Sequence, residues 1–252
     1  MNQIQINESL IVVDIGTSSI KTSIFDLNGK ILPQFSVAIP HSITSRNDGT
    51  SEQDPELLRS IVEDSIDLVL EKSQGFIKNI IGVGFDSMAS TLVGIDKDGN
   101  AITPIYTYAD TRSNSQVDKI KKEFNEKRLH QETGAAQHTS YIPSKIIWIK
   151  ENLSNYKDID KFIDFSTYIY SKWFENKSFK ASYSISSWSG LLDRNKFEWH
   201  SDLIKYLDLT KDRLPVLSRY DNYEKGLNKI YSKRWKKLSK TPFFLSVGDG
   251  MA

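Results

Sequence analysis

The chain has 252 residues, 38% of them hydrophobic and 26% charged, with a formal net charge of +1, the make-up expected of a soluble globular protein with one large domain or two small ones. Thirty-three basic residues offset thirty-two acidic ones, so no whole-molecule field exists to drive nucleic-acid binding or adsorption to anionic lipid. Cysteine is absent, which excludes disulfides, thiolate metal sites and thiol nucleophiles and suits a reducing compartment, while four histidines leave little for a His-rich metal centre.

The amino terminus is polar, and the apolar run 10–13 is interrupted by Asp14, so no signal peptide is expected there. No apolar stretch approaches the roughly 18–20 residues of a membrane-spanning helix, and a cytoplasmic location is expected. In chain order, residues 10–13, 20–27 and 31–38 read as β-strands rich in β-branched side chains, forming an antiparallel meander. A small-residue turn, Asp14-Ile15-Gly16-Thr17-Ser18-Ser19, separates the first two strands, and Asn28-Gly29 marks a tight hairpin before the third. Asp54-Pro55 is a helix start, Asp as N-cap and Pro in the first turn, and Leu58, Ile61, Val62, Ile66 and Val69 give the helix one apolar face to about residue 70. Residues 79–85 and 91–95 return to strand character, with a turn at 96–100, giving a mixed sheet with helical crossovers. Beyond Arg112 the pattern is mainly helical, with candidates at 113–125, 142–151, 166–174 and 201–206, and residues 241–252 read as a strand running into a glycine-flanked acidic turn.

Three segments carry candidate chemistry. In the first, Asp14 at a strand end precedes a glycine and hydroxyl-bearing turn that can aim N–H groups and hydroxyls at phosphate while the carboxylate holds hydrated Mg²⁺; the same residues also suit a plain hairpin turn. In the second, Gly248-Asp249-Gly250 lets a ligand approach an Asp able to take a proton from a hydroxyl, or is an ordinary turn. In the third, Tyr108, Asp110 and Arg112 combine an aromatic platform, a carboxylate and a guanidinium suited to a sugar polyol, or form a structural Asp–Arg pair capping the next helix. His138 in a polar loop is a further candidate contact, or a surface residue, and Trp188, Trp199 and Trp235 are expected to pack in the core or between helices.

The ordered blocks 11–21, 52–55, 104–113, 181–192 and 247–252 resemble the FGGY carbohydrate kinases, and the segments 85–96, 133–140 and 184–192 resemble their gluconokinase-like and xylulokinase-like branches. The resemblance implies an α/β fold: a ribonuclease-H-like domain of the actin, hexokinase and Hsp70 superfamily, with a mixed sheet, flanking helices and a helical insertion. It implies ATP and Mg²⁺ as cofactors, with Asp14 organising the metal, Gly16, Thr17, Ser18, Ser19 and Lys21 facing the nucleotide phosphates, and Asp249 as the base that deprotonates the attacking sugar hydroxyl. Tyr108, Asp110, Arg112, Ser90 and His138 would line the sugar pocket. Ser90 stands where xylulokinases and many gluconokinases carry His, and Tyr108 stands where Trp is usual. Gluconate is the first acceptor expected and a ketopentose such as xylulose the second.

The resemblance covers nearly the whole chain but only the amino-terminal half of a family member. Residues 1–252 are therefore expected to be the sugar-binding domain, lacking the carboxy-terminal nucleotide domain and inactive alone. The expected partners are the sugar or sugar acid, ATP, and either a homodimer mate or the missing domain, with neither nucleic acid nor membrane. A non-catalytic sugar-binding module, or one chain of a split kinase, is the alternative; an actin-like or Hsp70-like ATPase would give no role to the Tyr108–Asp110–Arg112 block.

Overall fold

The computed structural model describes residues 5–176 and 179–249. The opening meander forms as expected: β1 (Ile6–Ile15) turns back into β2 (Ser19–Phe25), which pairs antiparallel with β3 (Val37–Pro40). Along β1 the residues Ile11, Val13 and Ile15 are buried and Val12 and Asp14 half-buried, the period-two alternation of a strand with one face on the core. The predicted third strand, 31–38, is corrected. Pro33–Phe35 form a 3₁₀ turn, Ile31 keeps only a bridge to Phe25, and the strand proper starts at Val37. Pro33 has no N–H to give a ladder and its ring fixes φ, which breaks the strand there.

α1 (Pro55–Lys72) begins where Asp54 Oδ1 accepts from the N–H groups of Glu56 and Leu57 at 2.8 and 2.9 Å. It buries Leu58, Val62, Ile66 and Val69 together with the inward face of β1 and β2. β4 (Ile77–Ser87) then runs parallel to β1, with Asp86 opposite Asp14. The predicted strand 91–95 shortens to Val93–Ile95 and leaves the main sheet to pair with Lys161–Ile163.

The far edge is supplied from the end of the chain. β6 (Phe243–Phe244) and β7 (Val247–Gly248) each lie parallel to β4, and β5 (Tyr223–Glu224) pairs antiparallel with β6. The result is a seven-stranded mixed sheet in the order β5-β6-β4-β1-β2-β3, with β7 also on β4. Gly250, Met251 and Ala252, part of the predicted acidic turn, lie outside the described residues.

The predicted helices appear as α2 (Asn114–Glu123), α4 (Ile142–Asn152), α5 (Phe165–Trp173) and α7 (Ser201–Tyr206). α3 (Glu126–Thr133), α6 (Tyr183–Ser187) and α8 (Lys229–Arg234) are short and were not expected. Two apolar clusters result. One joins the sheet to α1, α5 and the Trp235 region; the other, built on Ile146, Ile149, Phe162, Leu191 and Leu203, belongs to the helical insertion. Trp199 and Trp235 are buried in these clusters as expected. α1 and α8 are also tied by the buried Glu63 carboxylate, which accepts from Trp173 Nε1 at 2.9 Å, Tyr231 Oη at 2.7 Å and Arg234 Nη1 at 2.5 Å. A charge so buried is tolerated because its lone pairs are filled. Among the described residues no helix is long and apolar enough to cross a membrane.

Candidate active site

The parallel strands β1, β4 and β7 end side by side, β1 and β4 with an aspartate as their second-last residue and β7 with one just beyond its end. Asp14 is the register partner of Asp86, and β7 places Val247 opposite Asp86 and Gly248 opposite Ser87, with the Asp249 N–H donating to the Ser87 carbonyl at 2.9 Å. Three carboxylates 72 and 235 residues apart in sequence thus reach one sheet end, the place where α/β sheets hold ligands. Their mutual charge has a consequence at Asp86: burial, and then the Asp14 and Asp249 carboxylates, push its pKa up to about 6. Asp86 Oδ1 is buried without a hydrogen-bond partner among the described residues.

Above these strand ends lies a cavity of about 290 Å³. Thr17 enters it from the β1–β2 turn, Met88, Ala89 and Ser90 from the loop after β4, Tyr108 from the segment before α2, Ser140 and Tyr141 from the start of α4, Trp188 from the end of α6, and Asp249 from beyond β7. A larger open groove of about 670 Å³ passes Phe179, Phe197, Trp199 and Val216, and its Lys180 and Lys211 are paired with Glu224 and Glu198. That groove holds none of the candidate residues, whereas the smaller cavity holds four: Thr17, Ser90, Tyr108 and Asp249.

The turn after Asp14 is tight, the Gly16 N–H donating to the Ser19 carbonyl at 3.2 Å, and Thr17 and Ser18 stay exposed. His41, a residue to which the sequence drew no attention, braces it. Its Nε2 bonds the Gly16 carbonyl at 2.9 Å and its Nδ1 meets Gln53 Nε2 at 3.1 Å. Because the Gln53 amide nitrogen is a donor, the network assigns the ring proton to Nε2. Lys21 pairs with Asp14 Oδ2 at 3.3 Å, both side chains being well exposed.

The segment 181–192 clamps the Asp249 strand. Ser182 Oγ donates to the Ser246 carbonyl, and the Gly248 N–H donates to Ser184 Oγ at 3.1 Å. Trp188, expected in the core or between helices, instead forms a wall of the cavity, its indole edge lying against the bare Cα of Gly248. A Cβ there would stand 2.7 Å from Trp188 Cδ1 and 2.9 Å from Nε1.

Three candidate sugar contacts are placed differently from expectation. Asp110 is buried and accepts from the Ser51 N–H at 3.0 Å and from Arg112 Nε and Nη2 at 3.0 and 2.6 Å. Arg112 also reaches Glu52 at 2.8 Å and packs its guanidinium 4.7 Å from the Trp148 ring centroid. The pair is therefore a brace between the 51–53 strand and α4 and is not part of the cavity lining: the Asp110 carboxylate is taken up by Ser51 and Arg112, and the guanidinium by Asp110 and Glu52. His138 is exposed and bonds its own loop, Nδ1 meeting Ser140 Oγ at 2.9 Å, while its neighbours Ser140 and Tyr141 reach the cavity in its place. Ser90 lines the cavity in a left-handed backbone conformation, φ 56°, with its hydroxyl proton committed to the Trp188 carbonyl.

Among the described residues no three His, Cys, Asp or Glu side chains are close enough to hold a metal ion together. The all-oxygen set of Asp14 and Asp86, one exposed and one with an orphaned oxygen, fits a hard cation that keeps most of its water rather than a fully protein-ligated one.

The family model for the amino-terminal domain of the FGGY carbohydrate kinases matches residues 9–252. The chain belongs to the FGGY family of carbohydrate kinases. This FGGY chain is 27% identical over 244 residues to a gluconokinase of Bacillus subtilis (strain 168), covering 95% of the chain and 46% of that relative. It is 31% identical over 155 residues to a xylulose kinase of Staphylococcus xylosus, covering 61% of the chain and 31% of the relative. Among solved structures, the gluconate kinase from Lactobacillus acidophilus superimposes with a TM-score of 0.89 at 23% identity, over 97% of this chain and 48% of that one. The fold is therefore the ribonuclease-H-like α/β fold of these kinases, and the chain spans about half the length of the curated relatives it matches.

Proposed function

We propose that the protein carrying this chain transfers the γ-phosphoryl group of ATP to a hydroxyl of a small sugar or sugar acid, with Asp249 as the general base. The observation that carries the reading is the convergence of Asp14, Asp86 and Asp249 beneath a cavity that also holds Thr17 from the glycine-containing turn. An acceptor hydroxyl seated beside Asp249 gives its proton to that carboxylate as the oxygen attacks phosphorus; the bond from phosphorus to the bridging oxygen breaks and ADP leaves. General-base assistance of this kind is worth about 10²–10⁴ in rate.

The other residues serve position and charge. The turn from Gly16 to Ser19, braced by His41, presents N–H groups and hydroxyls to phosphate oxygens, and exposed Lys21 adds a cation at the same edge. Bound Mg²⁺ would neutralise phosphate charge, with Asp14 as its protein anchor and Asp86 beside it. The strand clamp through Ser182 and Ser184 holds the backbone at Ser246 and Gly248, just before Asp249, so the base is carried on a secured strand. We further propose that residues 1–252 are the acceptor-binding half of the enzyme, the nucleotide face being completed by a second domain or chain, in the cytoplasm.

Gluconate and xylulose, the substrates in the relatives' names, are the acceptors to try first. Acceptor-dependent ADP release by the full protein tests the reading, and Asp249→Asn is expected to lower kcat at least about 10²-fold with the thermal melt unchanged. Undiminished turnover by that variant would remove Asp249 from the mechanism.

A further inference from the structure

The cavity makes a statement about its guest that goes beyond a phosphoryl-transfer site, although it rests on reading this cavity as the acceptor site. Among the described residues that line it, Asp249 is the one that carries charge; the rest offer hydroxyls and aromatic or apolar surface. No cation is among those lining residues: Lys21, at the edge of the site, is paired with Asp14, and two cations on segments that build the walls are spent. Lys145 is 2% exposed and donates its Nζ to the Ser140 carbonyl at 2.8 Å, on the wall behind the cavity, and Arg112 is held by Asp110 and Glu52.

Trp188 is the largest apolar element of the wall and is fixed from several sides. Ser90 donates to its carbonyl, Gly248 receives its indole edge, and Gly190, two residues on, adopts φ +68° with its Cα so close to Tyr141 that a Cβ would fall 2.8 Å from the Tyr141 Cβ. Indole Nε1 is enclosed without a hydrogen-bond partner among the described residues, so the ring is held by shape. A residue able to take left-handed backbone angles without a side chain is what position 190 requires.

We propose that this cleft selects an uncharged polyol or keto sugar over a sugar acid, and that Trp188 is the residue that sets the choice. A neutral polyol lays its C–H face on the indole and finds donors and acceptors in Thr17, Tyr108, Ser140 and Asp249. A sugar-acid carboxylate in the same space loses part of its water against an aromatic wall, beside a like charge and with no cation in the lining to offset it.

Calorimetric titration of the full protein with xylulose, xylitol and gluconate tests this directly, because it does not require turnover. Binding of xylulose or xylitol at least about tenfold tighter than gluconate is expected. Trp188→Ala should weaken the neutral ligands about tenfold, and Trp188→Lys, by supplying an ammonium, should tighten gluconate by a similar factor, each with a melt confirming the fold. Gluconate binding as tightly as the neutral ligands, or no binding by any of the three, overturns the proposal. Gluconate-dependent ADP release together with tight gluconate binding overturns it while leaving the kinase reading intact. Should Trp188→Lys fail to fold, the wild-type ligand ratio alone decides.

Discussion

Replacing Gly248 by alanine is the sharpest test of how the site is built. The added methyl would stand 2.7 Å from Trp188 Cδ1 and 2.9 Å from Nε1, closer than carbon atoms approach one another, so one side must move. Trp188 resists, because its carbonyl holds Ser90 and its loop is packed on Tyr141. β7 resists as well, being bonded to Ser184 on one side and to β4 on the other. Overpacking of this kind costs about 1–3 kcal/mol. At roughly 2–4 °C per kcal/mol for a domain of this size, the melting temperature should fall by about 2–12 °C. The catalytic cost should be larger, since a shift of about 1 Å in Asp249 is enough to lower kcat ~10²-fold. Calorimetric melts and steady-state assays of the full protein measure both. Adding Trp188→Ala to Gly248→Ala should recover most of the lost stability, because the two residues share one contact. A Gly248→Ala variant with wild-type melting and kcat would refute the argument that indole and strand are locked together.

Two other predictions concern groups whose titration burial shifts. Asp86, pushed up to about 6 by burial and by the Asp14 and Asp249 carboxylates, binds more protons in the native than in the unfolded state between about pH 4 and 6, so it costs stability as pH rises through that window. Asp86→Asn should therefore stabilise at pH 8 relative to pH 4; the full shift would be worth about 3 kcal/mol, and screening of this half-exposed group reduces the expectation to about 1 kcal/mol. Urea unfolding at both pH values decides, and an equal effect at both refutes it. Lys145, which burial pulls down to about 7 while Asp110 pulls the other way, has the opposite sign: the unfolded chain binds the extra proton, so wild-type stability should rise between pH 7 and 10. Lys145→Met should abolish that rise, and a rise of the same size in the variant would show that Lys145 is not its source.

Local chemistry was readable from the sequence wherever a few neighbouring residues decide the conformation. Asp54-Pro55 started a helix because an Asp carboxylate and a ring-fixed φ suffice to do so, and the turn at 14–19 formed between its two strands. Pro33 broke a strand whose β-branched flanks had pointed the other way, a case of one missing N–H outweighing propensity. What escaped was long-range. Asp86 lies in a segment that reads as an ordinary strand, and only the parallel register with β1 sets it beside Asp14. Trp188 reads as one more aromatic until a strand sixty residues later brings a glycine against it. Conversely, Asp110 and Arg112 have the composition of a sugar clamp, and it is Glu52, sixty residues upstream, that draws Arg112 into the interior.

The sheet also has a history implied by its order. β4 follows its partner β1 within about 70 residues of chain, but its other edge is covered only by strands that begin at residue 243. At ~5–20 residues per second, the roughly 160 residues between them take about 8–30 s to synthesise. During that interval a nascent chain carries an open, apolar strand edge of the sort that pairs with strangers. Among the described strands of this sheet, the one furthest along the chain delivers Asp249, so the proposed base enters as that edge is covered. A ribosome-bound intermediate stalled before residue 240 should accordingly be a client for chaperones.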